Sequence, residues 1–133
     1  MPLEESPEAF FEAFAAHRTR LYALARPVGD PLLTLDTPHG PLAVFDRGLP
    51  LGRPGPVEVL LHAVVEAEEP GTGPLITQLP GGRHRLGGRV TADLGGGFYR
   101  FEIGELPVVL YSPRPLSGAR AVRTAPVMMG YRP

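Results

Sequence analysis

Gly97-Phe98-Tyr99-Arg100-Phe101-Glu102-Ile103-Gly104-Glu105-Leu106-Pro107-Val108-Val109-Leu110-Tyr111 reads as two β-strands joined at a tight turn around Gly104-Glu105. Side chains alternate across a strand, so Tyr99, Phe101 and Ile103 share one face and Phe98, Arg100 and Glu102 the other. The first set is apolar and predicts a buried face. The second mixes a ring with charges and predicts a wet one.

Working outward, the same pattern recurs. Leu32-Leu33-Thr34-Leu35-Asp36 and Leu42-Ala43-Val44-Phe45 flank the turn Thr37-Pro38-His39-Gly40 and predict a second hairpin. Val57, Val59, Leu61, Ala63 and Val65 alternate, and the run ends in Glu66, Glu68 and Glu69, an unfavourable charge for a helix C-terminus. A strand is therefore expected from Val57 to Glu66, with Pro50 to Pro56 as a Pro/Gly connection and Glu66 to Pro74 as a candidate boundary. Pro and Gly number 17 each; apolar residues recur regularly between them, so they read as turn chemistry and not as disorder.

At the N-terminal side, Ser6-Pro7-Glu8 is a helix start: Ser6 caps, Pro7 suits the first helical position, and Glu8 and Glu12 favour the positive end of the dipole. Phe10, Phe14, His17, Leu21 and Leu24 fall at helical spacing, which predicts a helix from Pro7 to about Arg20. Leu21-Tyr22-Ala23-Leu24-Ala25 can equally begin a strand before Pro27. The Phe10/Phe11/Phe14 stripe either packs on the sheet or is a partner site.

The fold class expected is mainly β: one N-terminal helix, then antiparallel strands in a barrel. At 133 residues and 43% hydrophobic, residues 1–133 suit one compact domain. The two halves also align. Leu24, Val28, Leu32 and Leu35 match Val90, Leu94, Phe98 and Phe101 at a constant offset; Gly40, Leu42 and Val44 match Gly104, Leu106 and Val108 after a short deletion; Pro50, Leu51 and Val57 match Pro115, Leu116 and Val122. Either an internal repeat of residues 20–70 and 84–133 or an ordinary β-meander gives this pattern.

A net charge of −1 conceals an asymmetry: residues 1–70 hold five Arg against eleven acids, and residues 71–133 hold eight Arg against three. Two readings follow. The basic half is a surface for an anionic polymer, or the halves neutralise each other within the molecule.

Leu21-Tyr22-Ala23-Leu24-Ala25-Arg26, then Asp30-Pro31, Thr37, Gly40 and Ala43-Val44-Phe45, resemble the opening of a bacterial single-stranded-DNA-binding protein. Val28-Gly29 interrupts the corner, and the chain has no Trp. Arg85-Leu86-Gly87-Gly88-Arg89-Val90-Thr91-Ala92-Asp93 is similar to the same opening in a second copy. The resemblance implies an OB-fold, a small five-stranded barrel that binds oligonucleotides across one face.

Binding single strands takes cations for phosphates and exposed rings for stacking. Arg83, Arg85 and Arg89, Phe98 beside Arg100, and Tyr111 beside Arg114 supply both in the second half. Tyr99 and Phe101 read as core. Phe98 and Tyr111 fit core or platform, and Arg100 is the expected phosphate contact.

Other chemistry lacks a signature. With no Cys, disulfides and thiolates are excluded. His17, His39, His62 and His84 have no metal-ligand spacing, Ser6, Ser112 and Ser117 lack a nucleophile motif, and Gly95-Gly96-Gly97 lacks the Lys of a phosphate loop. No cofactor and no enzymatic activity are expected. Neither a signal peptide nor a membrane-spanning run is read, so the expected compartment is the cytoplasm. The absence of Lys and Asn and the single Gln78 fit a thermophile, and GC-rich coding produces the same pattern. Two functions are expected from this composition: binding of single-stranded nucleic acid by the second half, or a protein-interaction or assembly module using the Phe-rich helix or a sheet edge. A homodimer suits either, given the near-zero charge and the strand edges.

Overall fold

The alternating run Val57, Val59, Leu61, Ala63 and Val65 lies on the strand where the two halves of the molecule meet. The computed structural model describes residues 6–25, 27, 29–48, 54–71 and 73–132. Arg26 and Val28 of the expected corner, and Pro50, Leu51 and Arg53 of the Pro/Gly connection, lie outside the described residues. Helix α1 (Pro7–Phe14) precedes the strands. The first four are β1 (Thr19–Ala23), β2 (Leu32–Asp36), β3 (Leu42–Asp46) and β4 (Gly55–Glu69). Then come β5 (Leu75–Gln78), β6 (His84–Gly95), β7 (Phe98–Ile103), β8 (Leu106–Tyr111), β9 (Ala119–Thr124) and β10 (Met128–Tyr131).

The fold is mainly β, as expected, and five strands close into an OB-like barrel. β6 pairs antiparallel with β7 and β7 with β8; β8 runs parallel to β4, β4 antiparallel to β9, and β9 antiparallel to β6. Closure removes free edges from these five strands. A second cycle of pairings runs β1, β2, β3, β10, β4 and back to β1, with β3 and β10 parallel. One strand serves both because β4 is 15 residues long. Its residues 55–62 pair with β1 and β10, and its residues 62–69 with β8 and β9.

Inward side chains of both cycles form one continuous apolar cluster. Leu33, Leu35, Leu42, Val44, Val59 and Met128 contribute from one side, and Leu86, Phe101, Val108, Leu110 and Val122 from the other. A smaller cluster of Phe10, Leu60, Val109 and Tyr131 lies under α1, with Phe14 and Phe98 against it.

The hairpin of residues 98–111 forms in the expected register, Phe101 opposite Val108 and Ile103 opposite Leu106. Tyr99, Phe101 and Ile103 are buried as expected, whereas Phe98, Arg100 and Glu102, expected on a wet face, are half-buried. Gly104 takes φ +61 in the turn, a left-handed conformation that glycine adopts without steric cost.

Two expectations change. The helix ends at Phe14 and one 3₁₀ turn, Ala15–His17, leads into β1, because Thr19 to Ala23 find backbone partners on β4. His17, Leu21 and Leu24 share helical spacing without sharing a helix. The strand expected to end at Glu66 runs on to Glu69, where Ala67, Glu68 and Glu69 pair with β9. Leu32 faces Phe45 as Phe98 faces Tyr111, and Leu35 faces Leu42 as Phe101 faces Val108.

Candidate nucleic-acid interface

The cations of the second half are placed by β6 and β9, which lie on either side of the acidic end of β4. Arg83 donates to both oxygens of Glu66, Nε at 2.9 Å and Nη2 at 3.2 Å. Arg85 Nε donates to Glu69 Oε1 at 2.7 Å, and Arg123 Nη2 to the other oxygen at 2.5 Å. Arg120 pairs with Glu68. Part of the charge asymmetry is therefore neutralised inside the molecule: the acids that end β4 are matched by Arg of the second half. These bonds hold the Glu66 and Glu69 carboxyls below the usual range, Glu66 chiefly through the hydrogen bond from Arg83, Glu69 chiefly through that from Arg85.

The expected ring and phosphate contact, Phe98 and Arg100, do stand side by side on the outer face of β7. Helix α1 and its 3₁₀ turn cover them. The Phe98 ring lies 5.0 Å from that of Phe14, 6.1 Å from that of Phe10 and 5.4 Å from that of Tyr111. Arg100 Nε donates to Glu102 Oε2 at 2.8 Å and its Nη1 meets His17 Nδ1 at 2.9 Å. The Arg100 hydrogen bond is the main reason the Glu102 carboxyl titrates low, while burial first, then the Arg100 charge, lowers His17. Tyr111 is half-buried beneath Gly97, where a Cβ would approach its ring to 2.8 Å.

Arg89 and Arg114 are exposed and form no ion pair among the described residues. Arg89 lies opposite Glu102 in the β6–β7 register, and Arg114 sits in a turn where Ser112 Oγ accepts from its backbone N–H at 3.2 Å. The sequence set thus divides into paired cations (Arg83, Arg85, Arg100), covered rings (Phe98, Tyr111) and two open cations (Arg89, Arg114).

The corresponding outer face of β1, β2 and β3 carries no helix among the described residues. Tyr22 is 52% exposed, Leu24 39% and Leu32 41%. At the end of β3 the Arg47 guanidinium lies over the Phe45 ring, 5.8 Å from its centroid. Sequence reasoning passed over Tyr22, Phe45 and Arg47, although a signal was present. Phe45-x-Arg47 has the same spacing of two as Phe98-x-Arg100, which places ring and cation on one face of an extended chain.

Among the described residues no group of three His, Asp or Glu could hold a metal ion, and no helix is long and apolar enough to cross a membrane. No protein-family profile matches the chain, and comparison with curated proteins and with solved structures returns no match.

Proposed function

We propose that this chain is a small OB-like protein that binds single-stranded DNA or RNA. The observation that carries the reading is the outer face of β1, β2 and β3, which no helix covers among the described residues: an exposed Tyr22 offers stacking surface there, and the Arg47 guanidinium lies over the Phe45 ring. Within the second half, Arg89 and Arg114 are the cations available to phosphates, and Phe98, Arg100 and Tyr111 bear on a ligand only when α1 moves aside. Reading the two hairpins as an internal repeat is part of this proposal. Leu32 opposite Phe45 and Phe98 opposite Tyr111 are equivalent pairs, each member 66 residues from its counterpart (98 − 32 and 111 − 45).

Fluorescence anisotropy with labelled oligo-dT tests the reading. Tyr22→Ala weakens binding by about 1–3 kcal/mol while leaving the salt slope unchanged, because stacking is not ionic. Absence of binding at low salt and micromolar protein overturns it.

A second reading is favoured by the same face. Tyr22, Leu24 and Leu32 form an exposed apolar group of the kind that marks protein contacts. Under that reading the chain is an assembly module, and Leu32→Glu abolishes a dimer seen by analytical ultracentrifugation.

A further inference from the structure

The barrel and the second cycle of pairings each take one strand from the far half of the chain. In the barrel, the 62–69 part of β4 lies parallel to β8 and antiparallel to β9. In the second cycle, β10 lies parallel to β3 and antiparallel to the earlier part of β4. The chain therefore crosses twice between the two cycles, once along β4 and once back from β9 to β10.

The two crossings differ in strain. β4 crosses as one unbroken strand of 15 residues. Between β9 and β10 the chain turns through Ala125, Pro126 and Val127, and Val127 takes φ +63, rare for a β-branched side chain. That conformation crowds Cβ against the following carbonyl oxygen. Two backbone hydrogen bonds hold it, from Ala125 N–H to Val64 O at 2.8 Å and from Val127 N–H to Gly82 O at 2.9 Å. β10 reaches its place only through this turn. An extended 125–127 segment, unbroken as β4 is, relieves the crowding and points β10 away from its own molecule.

The seat of β10 is also incomplete. The Tyr131 hydroxyl on β10 and His62 Nε2 on the adjoining β4 are buried without a hydrogen-bond partner, and both rings pack against Phe10. Undocking returns both atoms to water, which offsets part of the cost of opening. The slot left between β3 and β4 is selective. A Cβ at Gly130 would stand 2.7 Å from Val44 Cγ2 and 3.2 Å from Val59 Cγ2, both on buried side chains, so the slot requires glycine there, two residues after the buried Met128. The strand that meets this demand is β10 itself, which makes a second copy of the chain the fitting partner.

We propose that two copies of this chain exchange β10, each strand completing the second cycle of the other molecule. The contacts made are those of the closed molecule and cancel in the balance, which is set by the 125–127 turn and by protein concentration. The exchange needs no ligand and stands apart from the nucleic-acid reading.

The test uses the intact chain, concentrated near the midpoint of urea unfolding and then returned to buffer. Light scattering is expected to find a dimer that separates slowly on dilution, because separation requires β10 to undock from both copies. Val127→Gly, which adopts positive φ without the crowding, is expected to lower the dimerisation constant about tenfold for each of the two turns. A second readout locates the exchange. The chain has no Cys, and Phe45 and Met129 are half-buried partners in the β3–β10 register. Phe45→Cys together with Met129→Cys places two thiols on strands about 5 Å apart, within reach of a disulfide. After oxidation the exchanged dimer carries that disulfide between chains, and the closed molecule within one. Leu32→Glu leaves the exchanged dimer intact, whereas it disperses a dimer held by the outer face of β1, β2 and β3. A protein that stays monomeric through this treatment, a dimer whose disulfides all lie within one chain, or a Val127→Gly variant that dimerises as readily as the parent overturns the proposal.

Discussion

Phe10 of α1 stacks on Tyr131 of β10, their ring centroids 4.6 Å apart and their planes 27° from parallel. The contact ties the first helix to the last strand and leaves Phe10 3% exposed. Phe10→Ala therefore removes a core ring and is expected to cost roughly 3–5 kcal/mol in urea unfolding. A change below about 1 kcal/mol, well under that of a core position, would mean that the helix is a loosely attached appendage.

Gly88 on β6 makes a sharper demand. A Cβ there would penetrate the Glu102 carbonyl and stand 3.0 Å from the Phe101 ring, two groups fixed by the β6–β7 ladder. Gly88→Ala is expected to destabilise by about 1–3 kcal/mol, the usual cost of overpacking. The midpoint of urea unfolding should fall with an unchanged slope, and a variant as stable as the parent would refute the close approach.

Acid should weaken the fold in a defined window. Burial, opposed only by the bond to Val109 O, holds His62 down at about 4, against 6.5 for the free side chain. Between those values the unfolded chain binds more protons than the folded one. The His62 contribution is therefore complete above about pH 6.5 and is lost as the pH falls towards 4, about 3 kcal/mol in all. Burial lowers His84 in the same sense. The carboxyls of Glu66, Glu69 and Glu102, held low by their Arg partners, add further loss as the pH drops below their ordinary value of 4.5. Urea denaturation between pH 7 and 4 checks this, and His62→Phe should flatten its upper part.

If oligo-dT binds, the open and paired cations should separate in its salt dependence. Arg89→Ala and Arg114→Ala should each reduce the log–log salt slope by about 0.7 for every phosphate the native guanidinium neutralises. Arg83→Ala should leave the slope unchanged, because that guanidinium already serves Glu66. The reverse order would place the strand across the β4 ion pairs instead.

Local rules read well from the chain wherever local structure decides. The 98–111 hairpin follows from strict alternation and one glycine turn. The helix start follows from Ser6, whose Oγ accepts from Ala9 N–H at 3.1 Å. Long-range pairing was opaque. Three glutamates ending an apolar run look like a strand stop, and nothing nearby signals that Arg83, Arg85, Arg120 and Arg123 arrive to neutralise them. The interface was half legible for the same reason. Phe98 and Arg100 do share an outward face, but a Phe stripe shows only that α1 has an apolar side, not which sheet it covers. Orphaned atoms such as His62 Nε2 have no sequence signal at all, because they are defined by what surrounds them.

The parallel pairing of β3 with β10 joins residues 84 positions apart, Val44 with Met128. During synthesis, β1, β2 and β3 leave the ribosome well before the strand that completes their cycle has been made. They wait with open edges while β4 to β9 are translated, a period in which another chain's strand can take the vacant place. Expression yield should therefore respond to the rate of elongation through residues 70–131, a sensitivity set by chain order and invisible in the stability of the finished fold.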